Sequence, residues 1–193
     1  MDNSQEGIAI QDKTKQLFVF EIDSNQYAVD VGYVDRVMKI PPITPIPNAS
    51  PAIVGIFHLR GKVVVVLDLV RRMNIPKKKP LTANFLFVVR RGKDEYAILV
   101  DKPKIIVQIP LGEIHPPDQI LAAHAPPEYV LGVFMQAEQV IQRKKQRSIM
   151  IETPGSSVGN IIEESLPPRP VAWLDVEKLL DHDDLIKILA SQE

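Results

Sequence analysis

The chain has 193 residues, of which 45% are hydrophobic and 24% charged, a composition typical of a soluble globular protein that buries about 70% of its unfolded surface. Its formal net charge of -1 argues against wholesale nucleic-acid binding, which usually requires a basic excess. The longest apolar run, residues 63–67, is far shorter than the roughly 20 residues of a membrane helix, and the acidic N-terminus lacks the pattern of a signal peptide. We therefore expect a cytoplasmic protein with no direct membrane insertion.

The first half of the chain contains five short β-rich runs. The polar turn Asp23–Gln26 separates the first two runs, which predicts a β-hairpin. Prolines at five positions between residues 41 and 51 predict a connecting loop, because proline lacks the N–H group that a sheet ladder needs. Asp68 follows the fifth run and is a candidate N-cap for a short helix over Leu69–Met73. The predicted strands are Leu17–Ile22, Gln26–Val31, Val34–Ile40, Ala52–Leu59 and Lys62–Leu67.

The second half repeats this plan. Tyr96 lies 69 positions after Tyr27, at the same place in a similar hairpin. Residues 131–134 then resemble residues 54–57, and residues 171–176 resemble residues 64–69, in the same order. We interpret the chain as two related halves, each able to form one small barrel, with an insertion at about 138–168 in the second half. Asp175 is the counterpart of Asp68 and predicts a helix from Val176 to Leu180 that continues toward Leu189.

Residues that carry catalysis or hold cofactors are missing from this sequence. The four histidines, at positions 58, 115, 124 and 182, lack the spacing of a helical zinc site, and the chain has no cysteine. No glycine-rich motif for phosphate binding and no nucleophile elbow is present. We therefore predict no metal, no cofactor and no catalytic residue; a hydrolase that uses His58 lacks any legible triad.

Two basic stretches leave an alternative open. Lys77–Lys79 lies between the halves, and Arg143–Arg147 lies inside the insertion. Charge runs without interleaved aromatic residues are usually solvated segments. A small double-barrel nucleic-acid-binding module is the alternative hypothesis, and a salt-sensitive affinity would reveal it.

Residues 55–69 carry a resemblance to a known family. Gly55, the turn His58-Leu59-Arg60-Gly61 and an apolar strand ending in Asp68-Leu69 resemble the signature of the CheW family, the adaptors of bacterial and archaeal chemotaxis. The resemblance extends upstream through Tyr27 and Val34–Val37, and downstream to residues 174–180. It covers roughly residues 16–182.

This resemblance implies an all-β fold with short helices: two SH3-like five-stranded barrels and a C-terminal helix. The implied division is a flexible N-terminus at 1–15, a CheW-like domain at 16–182 and a helical tail at 183–193. Within the domain, the first barrel spans about 16–75, with strands exchanged between barrels, and the second spans about 81–180 and contains the insertion.

The resemblance also implies a function. CheW proteins are not enzymes; they couple the cytoplasmic tip of a methyl-accepting chemoreceptor to the regulatory domain of a CheA-type histidine kinase. The implied location is the cytoplasm, with recruitment to membrane-associated receptor arrays, and no nucleic-acid partner is expected.

Six residues match family positions implicated in binding the receptor or the kinase: Val34, Arg36, Val37, Gly55, His58 and Arg60. Each also has a purely structural interpretation. Val34 and Val37 are equally compatible with the core, and Gly55 with a bulge. The forked Arg60 guanidinium suits a carboxylate partner, or it ties down its own turn.

Two of these residues depart from the family pattern. His58 replaces the usual Asn, and Arg36 replaces a frequent Glu. The charge reversal at Arg36 predicts an altered choice of partner through electrostatic complementarity.

Overall fold

The structure, a computed structural model, describes residues 13–75, 83–117, 125–137, 139–140, 164–165 and 167–180. Strands dominate these ranges, as predicted, and the five strands predicted in the first half of the chain begin and end close to the observed ones. Two four-residue helices are present, α1 (Leu69–Arg72) and α2 (Val176–Leu179). The strands are β1 (Thr14–Ile22), β2 (Asn25–Asp30), β3 (Val34–Lys39), β4 (Ile53–Leu59), β5 (Lys62–Leu67), β6 (Phe85–Arg91), β7 (Asp94–Val100), β8 (Lys102–Pro110), β9 (Val130–Gln136), β10 (Gln139–Val140), β11 (Glu164–Ser165) and β12 (Arg169–Leu174).

Ten of the strands form two five-stranded sheets. Sheet 1 has the order β8-β1-β2-β12-β9, and sheet 2 has the order β3-β6-β7-β5-β4. Both sheets are antiparallel except for one parallel pair each, β2 with β12 and β5 with β7. This architecture confirms the predicted all-β fold of two five-stranded units with short helices.

The two sheets repeat one another, which confirms the internal repeat. The counterparts of β1, β2, β3, β4 and β5 are β6, β7, β8, β9 and β12, in that order. Exchanging every strand of sheet 1 for its counterpart gives the strand order of sheet 2. Each sheet also contains strands from both halves of the chain: the hairpin β1–β2 lies in sheet 1 with β8, β9 and β12, whereas β6–β7 lies in sheet 2 with β3, β4 and β5. Each half of the chain therefore exchanges one hairpin with the other half.

Aromatic side chains pack where the two exchanged hairpins meet. Phe87 lies 69 positions after Phe18, so the two are counterparts in the repeat, and their rings contact edge-on at a centroid distance of 5.2 Å. Phe20 packs on Phe87 at 4.9 Å and stacks on Tyr27 at 6.0 Å. All four side chains belong to one buried cluster that extends into both sheets. Burial of this kind stabilises a fold by about 1.5–3 kcal/mol per large apolar side chain.

The two aspartates predicted as helix caps occupy equivalent places. Asp68 accepts hydrogen bonds from the backbone N–H groups of Val70 and Arg71, and Asp175 accepts them from Glu177 and Lys178. Each carboxylate satisfies donors that have no partner within so short a helix. Both N-cap predictions are therefore confirmed.

Several predicted segments lie outside the described residues. These are the N-terminus before residue 13, the basic runs 77–79 and 143–147, the histidines 124 and 182, and the tail 183–193. At the two ends of the predicted insertion, β10 and β11 form a two-stranded antiparallel ladder, in which Gln139 pairs with Ser165.

Candidate partner-binding site

Three of the six candidate residues lie on β3, an edge strand of sheet 2. β3 pairs only with β6 within its sheet, so its other edge carries no ladder partner in the strand order. Val34 is partly buried and packs against the main core, whereas the Val37 side chain is 41% exposed. The structural interpretation therefore applies to Val34, and Val37 is available for contact with another molecule.

A β-bulge on β3 contains Asp35, a residue that was not among the predicted site residues. Val34 pairs with Val89 and Arg36 with Val88, so Asp35 is the extra residue of the bulge. Its carboxylate accepts a hydrogen bond from Arg36 Nε at 2.5 Å and another from Arg90 Nη2 on β6 at 2.5 Å. One carboxylate thus holds two guanidinium groups.

The electrostatics of Asp35 reflect these neighbours. The hydrogen bond from Arg36 is the main cause of a lowered pKa for the Asp35 carboxyl, partial desolvation opposes it, and the charges of Arg90 and Arg60 lower the pKa further. The charge of Arg60, in the β4–β5 turn, is the smallest of these influences on the Asp35 carboxyl. Of the predicted site residues, Arg36 contacts this carboxylate directly.

Arg60 occupies a strained turn position. The two-residue turn Arg60-Gly61 joins β4 to β5, and both residues have positive φ, 51° and 80°. Such a type I′ turn favours Asn-Gly, because a longer side chain in the left-handed region costs about 1–2 kcal/mol. The other non-glycine residues with positive φ in the described ranges are Asp, Ser or Asn, so Arg60 alone combines this conformation with a long side chain. Its side chain is exposed to solvent.

Gly55 and His58 lie on β4 and differ in accessibility. Gly55 is buried beside a register shift at φ 152°, and a Cβ atom there would lie 2.3 Å from the Thr44 carbonyl oxygen. Thr44 and Ile56 exchange backbone hydrogen bonds at this point, so Gly55 allows the proline-rich loop to approach the strand. His58 is exposed and pairs with Val63 on β5.

The counterpart of the β3 site lies on β8, the edge strand of sheet 1. Lys104 lies 69 positions after Asp35 and also occupies a bulge, and it forms an ion pair of 3.0 Å with Glu21 on β1. Glu21 is in turn the counterpart of Arg90. The ion pair is thus present in both sheets with its charges exchanged. The register of the repeat, set by Tyr27 and Tyr96, was the signal in the sequence that could have identified Asp35 and Arg90.

The flanks of the two bulges differ more than the bulges themselves. Ile105 and Ile106 on β8 are the counterparts of Arg36 and Val37 on β3. They are 54% and 61% exposed, the largest values among the big apolar residues of the described ranges. One edge strand therefore presents a basic surface and the other an apolar surface.

The described residues contain no group of three or more His, Asp or Glu side chains arranged to hold a metal ion. None of their helices combines the length and apolar character required to span a bilayer.

Comparisons with known proteins place this geometry in a family. The sequence model of the family described as CheW-like domain matches residues 16–184. The chain is 25% identical over 133 residues to the chemotaxis protein CheW of Treponema pallidum, which covers 67% of this chain and 78% of the relative. It is 27% identical over 100 residues to CheW of Bacillus subtilis, covering 52% and 64%. Protein FrzA of Myxococcus xanthus is 26% identical over 146 residues, covering 70% and 90%.

A solved structure agrees on the fold. The scaffolding protein TtCheW from Thermoanaerobacter tengcongensis superposes with a TM-score of 0.63 at 20% identity, covering 89% of this chain and 91% of that chain. The nucleic-acid-binding alternative finds no support in any of these relatives. Because the family model matches far more than half of its residues, the chain belongs to the CheW family, whose members are chemotaxis coupling adaptors and not enzymes.

Proposed function

We propose that this protein couples the cytoplasmic tips of methyl-accepting chemoreceptors to the regulatory domain of a CheA-type histidine kinase, in receptor arrays at the cytoplasmic face of the membrane. The family match over residues 16–184 is the observation that carries the proposal. A coupling protein must present fixed surfaces to two partners at once, and a rigid two-sheet scaffold does so with little loss of entropy on binding.

The β3 edge and the β4–β5 turn are the surface we assign to partner contact. Val37, His58 and Arg60 are exposed there and Arg36 is partly exposed, while Val34 and Gly55 shape the backbone beneath them. The turn supports this assignment, because Arg60 keeps a conformation that asparagine or glycine would adopt at lower cost. Strained backbone of this kind concentrates at functional sites.

Binding to the kinase and to the receptor tip is the direct test. Purified protein is titrated by calorimetry with the regulatory domain of each CheA-type kinase of its own organism, and separately with receptor tip fragments. We expect saturable binding to at least one kinase and one receptor, and about tenfold weaker binding for Arg60→Ala, the loss typical of a hot-spot side chain.

Arg71→Ala is the matched control. Arg71 is also an exposed arginine, with a side chain 57% exposed. It lies on α1, which follows the end of β5, whereas the Arg60 turn precedes the start of β5. It should bind like the wild type. A second variant, with residues 138–168 replaced by a short linker, tests whether the insertion contributes. Failure of a folded wild-type protein to bind any kinase or receptor would contradict the coupling function.

A further inference from the structure

The charged side chains around Asp35 form a surface that is basic overall. We call Asp35, Arg36, Arg60 and Arg90 the Asp35 cluster. Arg90 also approaches Glu95 on β7 at 4.0 Å, and Glu95 pairs with Lys62 at 3.1 Å. With these two neighbours the surface contains four cations and two carboxylates. The excess positive charge is accessible, since the Arg90 and Lys62 side chains are 54% and 59% exposed.

Asp35 does more than neutralise charge. It accepts from Arg36 through Oδ2 and from Arg90 through Oδ1, so the two guanidinium groups are fixed on either side of one carboxylate. Guanidinium groups held in this way keep their remaining N–H donors in a defined direction. By contrast, no hydrogen bond or ion pair among the described residues holds the exposed Arg60 side chain, which leaves its donors available to a partner.

The repeat shows that this positive charge is not a requirement of the fold. The equivalent bulge of sheet 1 uses the reverse pair, Lys104 with Glu21, and is flanked by Ile105 and Ile106. The same backbone therefore forms with Ile105 at the position of Arg36. A charge that the backbone does not need, on an exposed edge, is available for recognition.

We propose that the Asp35 cluster binds an acidic segment of a partner protein, with partner carboxylates bound by Arg36 and Arg90, and that Asp35 is the positioning residue that fixes these two arginines. The assignment of the partner as a receptor or a kinase rests on the function proposed above. Val37 lies beside Arg36 and is partly exposed, so it offers an apolar contact next to the charges.

A protein segment fits this surface better than a nucleic acid. The forked geometry of arginine matches a carboxylate in two parallel hydrogen bonds. Nucleic-acid binding depends on the neutralisation of many phosphates, whereas this surface has an excess of two charges in a chain with a net charge of -1. Stacking on bases requires exposed aromatic rings, and the large exposed apolar residues of the described ranges are all aliphatic or methionine.

The first experiment needs no natural partner. The arginine Nε–H signals of the full-length protein are followed by NMR at low salt during titration with hexaglutamate, with hexalysine as the matched control and a single-stranded oligonucleotide as a general polyanion. We expect hexaglutamate to shift the signals of Arg36, Arg60 and Arg90, and hexalysine to leave them in place. No shift at these three side chains overturns the proposal, as does an oligonucleotide that shifts them at lower concentration than hexaglutamate.

Variants separate positioning from simple charge. Arg36→Glu should weaken hexaglutamate binding about tenfold and flatten its salt dependence, because a surface charge acts mainly through long-range attraction. Asp35→Asn makes the surface more positive, yet it should weaken binding, because the amide offers one uncharged acceptor oxygen where the carboxylate offers two to Arg36 and Arg90. Stronger binding by Asp35→Asn would overturn the positioning role. Glu21→Gln, which removes the carboxylate of the ion pair in sheet 1, should leave the affinity unchanged.

The same variants then enter the partner titrations. Wild-type binding to a kinase or receptor with about tenfold loss in Arg36→Glu at low salt is the expected result. Wild-type binding that Arg36→Glu leaves intact contradicts this inference and leaves the coupling function standing. No binding by the wild type contradicts the coupling function. In that case the hexaglutamate titration still tests whether the Asp35 cluster binds carboxylates.

Discussion

The bulges of β3 and β8 have the same backbone and opposite chemistry. Each bulge residue forms an ion pair with the neighbouring strand, Asp35 with Arg90 in sheet 2 and Lys104 with Glu21 in sheet 1. The ion pair is present in both sheets with its charges exchanged, and the following two residues are Arg36 and Val37 in sheet 2 and two isoleucines in sheet 1. The fold therefore constrains the pairing at the bulge and leaves the surface beside it free to select a partner.

A second comparison concerns the two glycines beside the sheet edges. Gly132 on β9 is the counterpart of Gly55, and its edge likewise exchanges backbone hydrogen bonds with a loop, between Val133 and His115. The obstacles differ, however. A Cβ atom at Gly55 would meet backbone at 2.3 Å, whereas at Gly132 it would meet the Ile114 Cγ2 methyl at 2.5 Å and the His115 carbonyl oxygen at 3.1 Å. A side chain can move aside more readily than a backbone carbonyl.

The largest expected effect tests whether the two halves share one core. Phe18→Ala and Phe87→Ala should each lower the free energy of unfolding by about 3–5 kcal/mol, because each leaves a cavity in the centre of the aromatic cluster. Since the two rings touch, the double variant should lose about 0.5–1.5 kcal/mol less than the sum. Urea denaturation measures all four proteins. Additive losses would mean that the halves pack independently.

The glycine pair gives the next largest effect. Gly55→Ala should cost about 3 kcal/mol, because the new Cβ collides with backbone and the residue has positive φ. Gly132→Ala should cost about 1 kcal/mol, since the Ile114 side chain can move. Thermal and urea unfolding of both variants checks the order. Equal losses would show that the two edges tolerate a side chain equally.

The two helix caps should differ less in their contributions to the free energy of unfolding than the two glycines do. Asp68 is 2% exposed and Asp175 is more accessible, although both accept from two backbone N–H groups. Asp68→Ala should lower the free energy of unfolding by about 2 kcal/mol and Asp175→Ala by about 1 kcal/mol. The reason is that a backbone N–H group without an acceptor costs more free energy when it is buried. The corresponding Asn variants, which can still cap, should recover part of each loss. A greater loss at Asp175 would reverse the comparison.

Replacement of Arg60 should raise the free energy of unfolding and weaken partner binding. Arg60→Asn creates the Asn-Gly pair that a type I′ turn favours, so we expect a gain of about 0.5–1 kcal/mol in unfolding free energy. The same variant should bind the kinase or receptor partner more weakly than the wild type. Urea denaturation and calorimetry measure the two properties on one sample. A less stable variant would refute the strain at this turn.

The smallest effect is the pH dependence at the β3 bulge. Because the pKa of Asp35 is lower in the folded protein, its contribution to stability is present above the unfolded value of about 3.9 and disappears as the pH falls through the folded value. Asp35→Asn should therefore be less stable than the wild type at pH 7 and approach it in acid. Unfolding curves of both proteins across this range provide the measurement. A difference that persists in strong acid would point to a cause other than the charge.

Much of the fold could be predicted from the sequence because the signals are local. Alternating apolar runs, proline-rich breaks and capping aspartates located the strands and helices to within a few residues, and the spacing of Tyr27 and Tyr96 revealed the repeat. Which hairpin joins which sheet could not be predicted from local signals, because it depends on long-range pairings such as β2 with β12.

The site shows the same limit. Arg36 was identified by family resemblance, but the carboxylate that it contacts was not. Asp35 gains its importance from a bulge and from Arg90, which is 55 positions away along the chain and adjacent in the sheet. Gly55 and Val34, which also match the family pattern, turned out to be buried or partly buried. Sequence position alone does not separate residues that touch a partner from those that shape the strand beneath.

The exchange of hairpins also sets an order of assembly as the chain is synthesised. All five strands of sheet 2 lie between Val34 and Val100, so this sheet can close while the rest of the chain is still being made. Sheet 1 needs β12, which ends at Leu174, so the hairpin β1–β2 is made first and waits longest for its neighbours. Such long-range pairing slows folding and leaves unpaired strands open to wrong contacts. We expect sheet 2, which carries the Asp35 cluster, to form first and to act as the template on which sheet 1 is completed.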